Sequence, residues 1–301
     1  MDGKQEAGVK PQVPDTALGA ERTDGRAAMG VSVPGPEAVY LYGVLESAAH
    51  GSLGPIGLDG AEVYLVVHGG LAAVVHNCPD AAYRTGGRAA VEAWVLAHQR
   101  VLDVAAARFG PVLPFGFGVI VWGRQESAEA VIRRWLGDEE PGLREKLKKV
   151  RGRQEYGIQV FYNVAVLSKD TVAQSERLQE LEARIRTSPP GLAYMYQQQL
   201  QKLVRQELEG RLDRCYREFC GSIRQHVADV RVEKVKKADG GRVMLMNLSC
   251  LVDEDRVRDL GKELQRITDL DGIEVRFTGP WPPYSFVSVG DRNLPEGGVL
   301  P

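Results

Sequence analysis

The apolar residues in the second half of the chain switch repeatedly between two periods, and this alternation limits the fold more than any other feature of the sequence. Ile158–Val166 has an apolar residue at every second position, which is the period of a strand. A helical period follows and is interrupted at Ser188–Gly191, where two prolines stop a helix. Strand-like runs at 230–236 and 243–252 flank a turn, and a helix and a last strand at 272–278 complete the series. This order predicts a ferredoxin-like βαββαβ plait with a long helical insertion in its first crossover.

The first half of the chain mixes strands and helices in a related way. A short apolar run at 38–45 suits a buried strand, and a hairpin pattern surrounds His68–Gly70. Helical periodicity between Gly87 and Gly110 is followed by a strand-like run at 112–122. A Gly-rich loop takes the place of a first crossover helix. The sequence therefore predicts an α+β sheet domain that is related to the second one.

Composition sets the limits of the two domains. Residues 1–36 are rich in Gly, Pro, Asp and Glu and lack apolar periodicity, so they cannot bury enough surface to offset the entropy of ordering. The stretch 290–301 has the same character. We therefore predict a disordered N-terminal arm (1–36), an α+β domain (37–152), a ferredoxin-like domain with a long helical hairpin (153–289) and a disordered tail (290–301).

The charge and hydropathy of the chain argue against binding to nucleic acid or to membranes. The formal net charge is −2, from 38 basic and 40 acidic residues, so the overall field does not attract a polyanion. No apolar run approaches the roughly 20 residues of a membrane helix. The N-terminus carries no signal-peptide pattern. We expect a cytoplasmic protein with no nucleic-acid partner and no membrane partner, and the oligomeric state stays open.

No catalytic motif is found in the sequence. It lacks a Walker A loop, an H-E-x-x-H pair and a G-x-S-x-G nucleophile turn. The cysteines form no C-x-x-C pair and are interpreted as reduced, buried thiols. They are Cys78, Cys215, Cys220 and Cys250. We therefore expect no enzymatic activity, no catalytic or cofactor-binding residues and no cofactor.

The histidines give little support to a metal site. His98 lies on the apolar face of its predicted helix and is interpreted as a core residue whose polar atoms are paired. His68 and His76 flank one hairpin and could approach one another, but no carboxylate or cysteine stands nearby in the sequence to complete a site. The prediction is that the chain binds no metal.

One strand pattern leaves a second interpretation open. Gly116–Trp122 approaches the central strand of RNA-recognition sheets, which alternates glycine with aromatic residues. Phe115 stands where that motif has a basic residue, and the net charge gives no electrostatic support. The alternative function is therefore a ferredoxin-like regulatory module that binds RNA or a small ligand through Phe117 and Trp122.

The most distinctive segment follows the last predicted strand. It contains three prolines, which stiffen it, and three aromatic residues. Such a segment can close the core of its domain, or it can present stiff aromatic side chains to a partner at low entropic cost. Both roles stay open for Trp281, Pro282, Pro283, Tyr284 and Phe286.

A basic run at 144–153 ends the predicted first domain. It is typical of a solvated helix end, where positive charge suits the helix dipole. The alternative is a docking surface for an acidic partner, which would involve Lys148, Lys149 and Arg151.

The segment TGPWPPYSFV at 278–287 closely resembles the C-terminal signature of the gas vesicle protein F/L family. Further matches to this family occur in the expected order along the chain. They are VYLYGVL from Val39, GGLAAVV from Gly69, AHQRVLDVAAARFGPVLPFGFGVI from Ala97, LREKLKKVRGRQEYGIQV from Leu143 and GLAYM from Gly191. The resemblance departs from the family at Gly116 and at Gln197–Gln199, which stand where basic residues are expected.

The resemblance implies two α+β domains, no enzymatic activity and a role in gas vesicle formation as an assembly factor or minor structural component. It implies chaperone-like binding of the small, very hydrophobic shell protein, together with contacts to other assembly proteins. A shell subunit that must face gas carries apolar surface, and such surface aggregates in water. The candidate partner-binding residues are Trp281, Pro282, Pro283, Tyr284, Phe286, Tyr194, Lys148, Lys149 and Arg151.

Overall fold

The structure is a computed structural model of the chain. It describes residues 38–79, 83, 87–123, 126–236, 241–287 and, for the backbone, 297–299. The predicted arm at 1–36 lies outside the described residues, as does most of the predicted tail. The described part divides into two compact units. Unit 1 ends at Leu147 and includes the strand at 297–299, whereas unit 2 is Lys148–Ser288.

The strands alternate with helices in both units. The strands are β1 (Ala38–Glu46), β2 (Ser52–Gly54), β3 (Val63–His68), β4 (Leu71–Cys78), β5 (Val112–Pro114), β6 (Val119–Trp122), β7 (Arg153–Asn163), β8 (Asp229–Val232), β9 (Arg242–Asp253), β10 (Ile273–Trp281) and β11 (Gly297–Val299). The helices are α1 (Arg88–Phe109), α2 (Ala128–Asp138), α3 (Glu140–Val150), α4 (Val164–Gln174), α5 (Glu176–Thr187), α6 (Pro190–Arg224) and α7 (Val257–Thr268). The mixed α+β class predicted from the sequence is confirmed.

The sheet of unit 1 has β1 at its centre. The strand order is β11-β6-β1-β4-β3-β2, with β5 also paired to β1, and α1 and α2 pack against the sheet. Ala38–Leu45 is buried without interruption, so both faces of β1 are covered, as its unbroken apolar run indicated. Gly69 and Gly70 have φ values of +58° and +81°, the left-handed pair that a two-residue turn between β3 and β4 requires. The predicted hairpin is therefore confirmed.

One strand of unit 1 comes from the predicted tail. Gly297–Val299 forms β11 and pairs antiparallel with β6. The sequence predicted disorder here because the segment has no apolar periodicity. Pairing of a short edge strand needs only backbone groups, which the apolar pattern does not report.

Unit 2 has a fully antiparallel sheet with the order β10-β7-β9-β8. Three helices, α4 to α6, connect β7 to β8, and α7 connects β9 to β10. The C-terminal part of α6 and the whole of α7 cover one face of the sheet through Phe219, Ile223, Leu260, Leu264 and Ile267. The first and third strands of the unit thus lie at the centre, as in a split β-α-β arrangement. The predicted turn before Gly241 lies outside the described residues.

The predicted strand at the start of unit 2 extends too far. Val164 and Val166 belong to α4 and not to β7. The side chain of Asn163 accepts hydrogen bonds from the backbone N–H groups of Ala165 (3.0 Å) and Val166 (3.2 Å), which starts the helix. This cap outweighs the β-branched alternation that indicated a strand.

Helix α6 is longer than the sheet it covers. Its 35 residues span about 52 Å. Its N-terminal part forms an antiparallel helical hairpin with α5, and its middle packs through Leu208 and Leu212 on Leu167 of α4. The break between the two helices falls at Ser188–Pro189, as the prolines predicted. We refer to α5 together with residues 190–207 of α6 as the helical hairpin.

Candidate partner-binding surfaces

Residues 278–287 continue the edge strand β10 and then turn in over the sheet, and we refer to them as the aromatic strap. Within β10, Gly279 has a φ of +122° and lies in the irregularity between the pairs Thr278–Gly157 and Trp281–Glu155. A Cβ atom at this position would lie 2.9 Å from the carbonyl oxygen of Glu155 and 2.9 Å from Cδ1 of Tyr156. Only glycine therefore lets the strap lie this close to β7.

A buried carboxylate holds the inner half of the strap. The carboxylate of Glu155 on β7 accepts hydrogen bonds from the Ser285 N–H group (2.8 Å) and from the Ser285 hydroxyl (2.6 Å). The hydroxyl of Ser249 on β9 lies 3.2 Å from that of Ser285. Burial raises the pKa of Glu155, and the hydrogen bonds from Ser285 oppose this shift because they favour the charged form. The strap is therefore fixed to the sheet at Ser285.

Phe286 is buried next to this anchor and lies between two cations. The Lys149 ammonium is 5.6 Å and the Arg231 guanidinium 5.7 Å from the centre of its ring. Lys149 also pairs with Asp229 at 2.6 Å, and this hydrogen bond lowers the pKa of Asp229. Both Phe286 and Lys149 thus make contacts within unit 2.

The outer half of the strap is open to solvent. Trp281 is 44% exposed, and Phe277, which precedes the strap on β10, is 39% exposed. The Phe277 ring stacks on Tyr156 with a centroid distance of 4.9 Å and an interplanar angle of 14°. Cδ1 of Trp281 lies 3.4 Å from the Cβ position of Gly279, which itself lies against Tyr156. Phe277, paired opposite Ile158, and Trp281, paired opposite Glu155, are therefore two exposed aromatic side chains along one edge strand, and we refer to the two together as the aromatic patch.

Phe277 was missed by the sequence reasoning. The β10–β7 register places it opposite Ile158, on the predicted inner face. The apolar alternation of β10 correctly predicts the face on which Phe277 lies. It cannot show that the Phe277 side chain stays partly exposed. Of the other strap residues, Pro283 is buried and Pro282 and Tyr284 are half-buried.

The remaining predicted residues lie in two other places. Lys148 and Arg151 are exposed at the end of α3 and in the turn that follows it. Tyr194 is 63% exposed near the start of α6. Phe219 of the same helix packs on the sheet, and the 25 positions between them correspond to roughly 37 Å of helix. The structure therefore does not bring Tyr194 and the aromatic strap together.

Unit 1 contains a buried network of tyrosine and histidine side chains that the sequence did not predict. Nε2 of His98 lies 3.2 Å from the Phe115 carbonyl oxygen, which can only accept, so Nε2 carries the proton. Nδ1 of His98 is then the acceptor for the Tyr40 hydroxyl at 2.9 Å. The Tyr40 hydroxyl accepts in turn from the Gly118 N–H group at 2.9 Å. Each of these buried polar atoms thus has a partner.

A second chain of hydrogen bonds runs beside the first. The Leu58 N–H group donates to the Tyr42 hydroxyl (3.1 Å), which lies 2.8 Å from Nδ1 of His76. Nε2 of His76 lies 2.9 Å from the Tyr83 hydroxyl. When Tyr42 donates to Nδ1, Nε2–H donates to Tyr83 and every buried donor is paired. Burial lowers the pKa of His76 to about 4, and that of His98 also to about 4, so both rings are neutral at pH 7.

This network is structural and offers no open metal site. His98 is paired in the core, as the sequence predicted. The prediction that His68 and His76 could approach one another is wrong, because His68 is exposed opposite Leu71, five positions from His76 along β4. Among the described residues, no group of three or more His, Cys, Asp or Glu side chains is arranged to hold a metal ion.

The aromatic residues of the RNA-binding alternative do not form a platform on an open sheet. Phe117 lies in the turn before β6, and its ring centre is 6.1 Å from those of Tyr40 and His98. Trp122 is half-buried at the end of β6. Base stacking needs exposed rings on a sheet face, so the structure gives this alternative no support.

Comparisons with known proteins agree with the family resemblance. Residues 38–288 match a family model described as "Gas vesicle synthesis protein GvpL/GvpF". Gas vesicle protein L1 of Halobacterium salinarum is 32% identical over 256 residues, which are 82% of this chain and 89% of that protein. Gas vesicle protein L of Haloferax mediterranei is 30% identical over 240 residues, which are 76% of this chain and 72% of that protein.

Solved structures show the same fold. The crystal structure of GvpF from Anabaena matches with a TM-score of 0.65 at 19% identity, covering 84% of this chain and 99% of that one. GvpF from Microcystis aeruginosa matches with a TM-score of 0.58 at 17% identity and covers the same shares. No helix in the described part of this chain is long and apolar enough to cross a membrane.

Proposed function

The chain belongs to the GvpL/GvpF family of gas vesicle synthesis proteins, and from this premise we propose that it is a non-enzymatic assembly protein that binds the hydrophobic shell protein. This chain binds the shell protein in the cytoplasm and at the growing vesicle, and the bound shell protein does not aggregate. Other assembly proteins are further partners. Membership of this family supports a role in gas vesicle formation. Our proposal is that the chain fulfils this role by binding the shell protein.

The exposed aromatic patch carries the proposal. Phe277 and Trp281 are large apolar side chains that stay in contact with solvent, although the rest of the strap is fixed by Ser285 and Phe286. Rigid aromatic anchors lose little entropy when a partner covers them, and aromatic residues dominate binding energy at interfaces. A shell subunit with apolar surface in water is a partner that such a patch would stabilise.

Three buried acid–base groups with shifted pKa values support a non-enzymatic role. His76, His98 and Glu155 are all buried, and each is paired with neighbouring side-chain or backbone groups. General acid–base chemistry requires a group that can reach a substrate. We therefore assign these three groups to the internal hydrogen bonding of the fold and not to a reaction centre.

The test is co-purification of the chain with the shell protein, together with light scattering of shell protein diluted into buffer. The wild-type chain should retain shell protein and suppress its scattering, and Trp281→Ala should weaken both effects by about tenfold or more. Leu96→Ala is the matched control, because it removes an exposed apolar side chain from α1 of unit 1. If the wild-type chain retains no shell protein, or if both variants behave alike, shell binding at the aromatic patch is excluded.

A further inference from the structure

The free end of the helical hairpin exposes apolar side chains at a distance from the aromatic patch. Tyr194 and Met195, in the second turn of α6, are 63% and 66% exposed, and Leu192 beside them is also exposed. Nothing among the described residues covers them. Side chains of this size rarely stand together in water unless a partner covers them in the functional state.

The two sides of α6 differ sharply in this region. Tyr196, Leu200 and Leu203 are half-buried on the side that faces α5. On the outward side, side chains three or four positions apart are neighbours, which places Tyr194 and Met195 next to Gln198. The same rows continue from Gln198 to two cations further along the helix, Lys202 and Arg205. The outward side therefore changes from apolar to amide to basic over about 16 Å.

Between Glu182 and Glu207 the charged side chains of the hairpin are all positive. Residues 183–206 contain four basic residues and no acidic one. They are Arg184, Arg186, Lys202 and Arg205. The first three make no ion pair with a described residue, and Arg205 pairs only with Glu209, at 3.1 Å with both side chains largely exposed. An exposed pair of this kind contributes little to stability, so Arg205 can exchange it for another carboxylate.

This arrangement selects one class of partner. The apolar, amide and basic groups follow one another along about three turns of helix. A second helix lying alongside α6 would meet all three zones, with apolar residues at one end and carboxylates at the other. An anionic bilayer would meet these groups only if the helix stood upright on it, with the tip in the apolar layer and Lys202 and Arg205 at the headgroups, and the vesicle arm of the experiment below separates this case.

We propose that the outward face of the helical hairpin docks an acidic amphipathic helix of a partner protein. Leu192, Tyr194 and Met195 take up its apolar stripe. Lys202 and Arg205 pair with its carboxylates. This surface is distinct from the aromatic patch and goes beyond shell-protein binding by the strap.

The experiment uses a synthetic peptide designed as an amphipathic helix, with leucines on one face and glutamates along its flanks. Fluorescence anisotropy of the labelled peptide reports binding to the full chain. The wild-type chain should bind it saturably, and the affinity should fall with rising salt because exposed charge pairs are screened. A peptide with every glutamate replaced by lysine should not bind.

Two variants separate the apolar and the charged contributions. Tyr194→Ser with Met195→Ser should weaken binding by about tenfold or more, because it removes the apolar contacts. Lys202→Glu with Arg205→Glu should weaken binding of the acidic peptide by about tenfold and should create binding of the lysine peptide. Trp281→Ala should leave both affinities unchanged, which separates this surface from the aromatic patch. All of these side chains are exposed, and circular dichroism checks that each variant is folded.

Three outcomes would overturn the proposal. The acidic peptide does not bind the wild-type chain, or it binds the variants equally well, or the charge-reversed variant fails to accept the lysine peptide. A parallel arm uses vesicles of phosphatidylserine and phosphatidylcholine. If the wild-type chain binds these vesicles and not the peptide, and the same variants abolish that binding, the hairpin contacts lipid and the helix proposal is wrong.

Discussion

Unit 1 buries polar side chains in its interior, whereas unit 2 leaves apolar side chains on its surface. His76 and His98 are nearly inaccessible in unit 1, and their hydrogen bonds are satisfied by tyrosines and backbone. Of the large exposed apolar side chains in the described part of the chain, only Leu96 belongs to unit 1. Unit 2 carries all the others, among them Tyr194 and Trp281.

The contrast indicates a division of roles between the units. A closed hydrogen-bond network makes one arrangement of the core more stable than its alternatives, but it offers nothing to a partner. Exposed apolar patches contribute little to the stability of the folded chain and indicate interaction surfaces. We therefore expect substitutions in the network to change stability, and substitutions on the surfaces of unit 2 to change binding.

The sharpest test of this contrast lies within the aromatic strap. Phe286→Ala removes a buried ring and should lower the free energy of unfolding of unit 2 by about 4 kcal/mol. Trp281→Ala removes a larger ring that is 44% exposed and should lower it by clearly less, about 1–2 kcal/mol. Urea unfolding followed by hydrogen exchange of β7 and β9 amides measures both. Equal losses would mean that the outer half of the strap also belongs to the core.

The histidines of unit 1 should make its stability depend on pH. The pKa of His98 is lowered from 6.5 to about 4 in the folded chain, so the unfolded chain takes up the proton first as the pH falls. Stability is therefore lost between pH 6.5 and pH 4, by about 1.4 kcal/mol for each pH unit. His98→Gln keeps a donor and an acceptor and should remove the contribution of His98 to this slope, a difference of about 3 kcal/mol over the range, while the contribution of His76 remains.

Urea titrations at several pH values measure this slope, and the comparison needs a second histidine. His68→Gln is the same substitution at an exposed position of unit 1. If it reduces the slope by as much as His98→Gln does, the buried network is not its source.

The tyrosine hydroxyls of the network should contribute more to the free energy of unfolding than the hydroxyl of a tyrosine in unit 2. Tyr42→Phe leaves the Leu58 N–H group and Nδ1 of His76 without their buried partner, and should destabilise unit 1 by about 2 kcal/mol. Tyr216 is half-buried in unit 2, and its hydroxyl makes no hydrogen bond to a described residue. Tyr216→Phe is therefore the control, with an expected change below about 0.5 kcal/mol in urea unfolding. A similar loss in both variants would contradict the special role of the network.

The sequence predicts those parts of the fold that depend on local patterns. Two glycines predict the β3–β4 turn, and two prolines predict the break before α6, because each restricts the backbone by itself. The end of β7 was missed because a single side chain, Asn163, caps α4 against the apolar alternation. The helix-capping preference of Asn163 and the strand alternation compete at this position, and the sequence pattern does not show which of the two is stronger.

The network and the division of the strap depend on distant residues, and local patterns do not report them. Tyr40 and His76 are 36 positions apart and become neighbours only through the β1–β4 register. The strap was correctly identified as distinctive, but whether Trp281 or Phe286 is covered depends on what packs above each of them. The family resemblance identifies the segment, but it does not show which of these two aromatic side chains is buried.

Substitution of Glu155 should have the smallest effect on the free energy of unfolding. The pH dependence of this effect should have the opposite sign to that of the buried histidines in unit 1. Burial raises its pKa above the ordinary value of 4.5. Its contribution to stability is therefore fully present below pH 4.5 and is lost as the pH rises through the folded-state pKa. Glu155→Gln removes the charge while its amide can still accept from the Ser285 N–H group and donate to the Ser285 hydroxyl.

Relative to the wild-type chain, Glu155→Gln should gain stability as the pH rises, whereas His98→Gln should gain stability as the pH falls. The effect at Glu155 should be the smaller one, because two hydrogen bonds from Ser285 already offset part of the cost of burial. Urea midpoints of both variants across pH 4 to 8 measure the two slopes. Slopes of the same sign would mean that the pKa of Glu155 is lowered in the folded chain, because the hydrogen bonds from Ser285 outweigh the cost of burial. No pH dependence of the difference between Glu155→Gln and the wild-type chain would mean that the carboxylate is solvated.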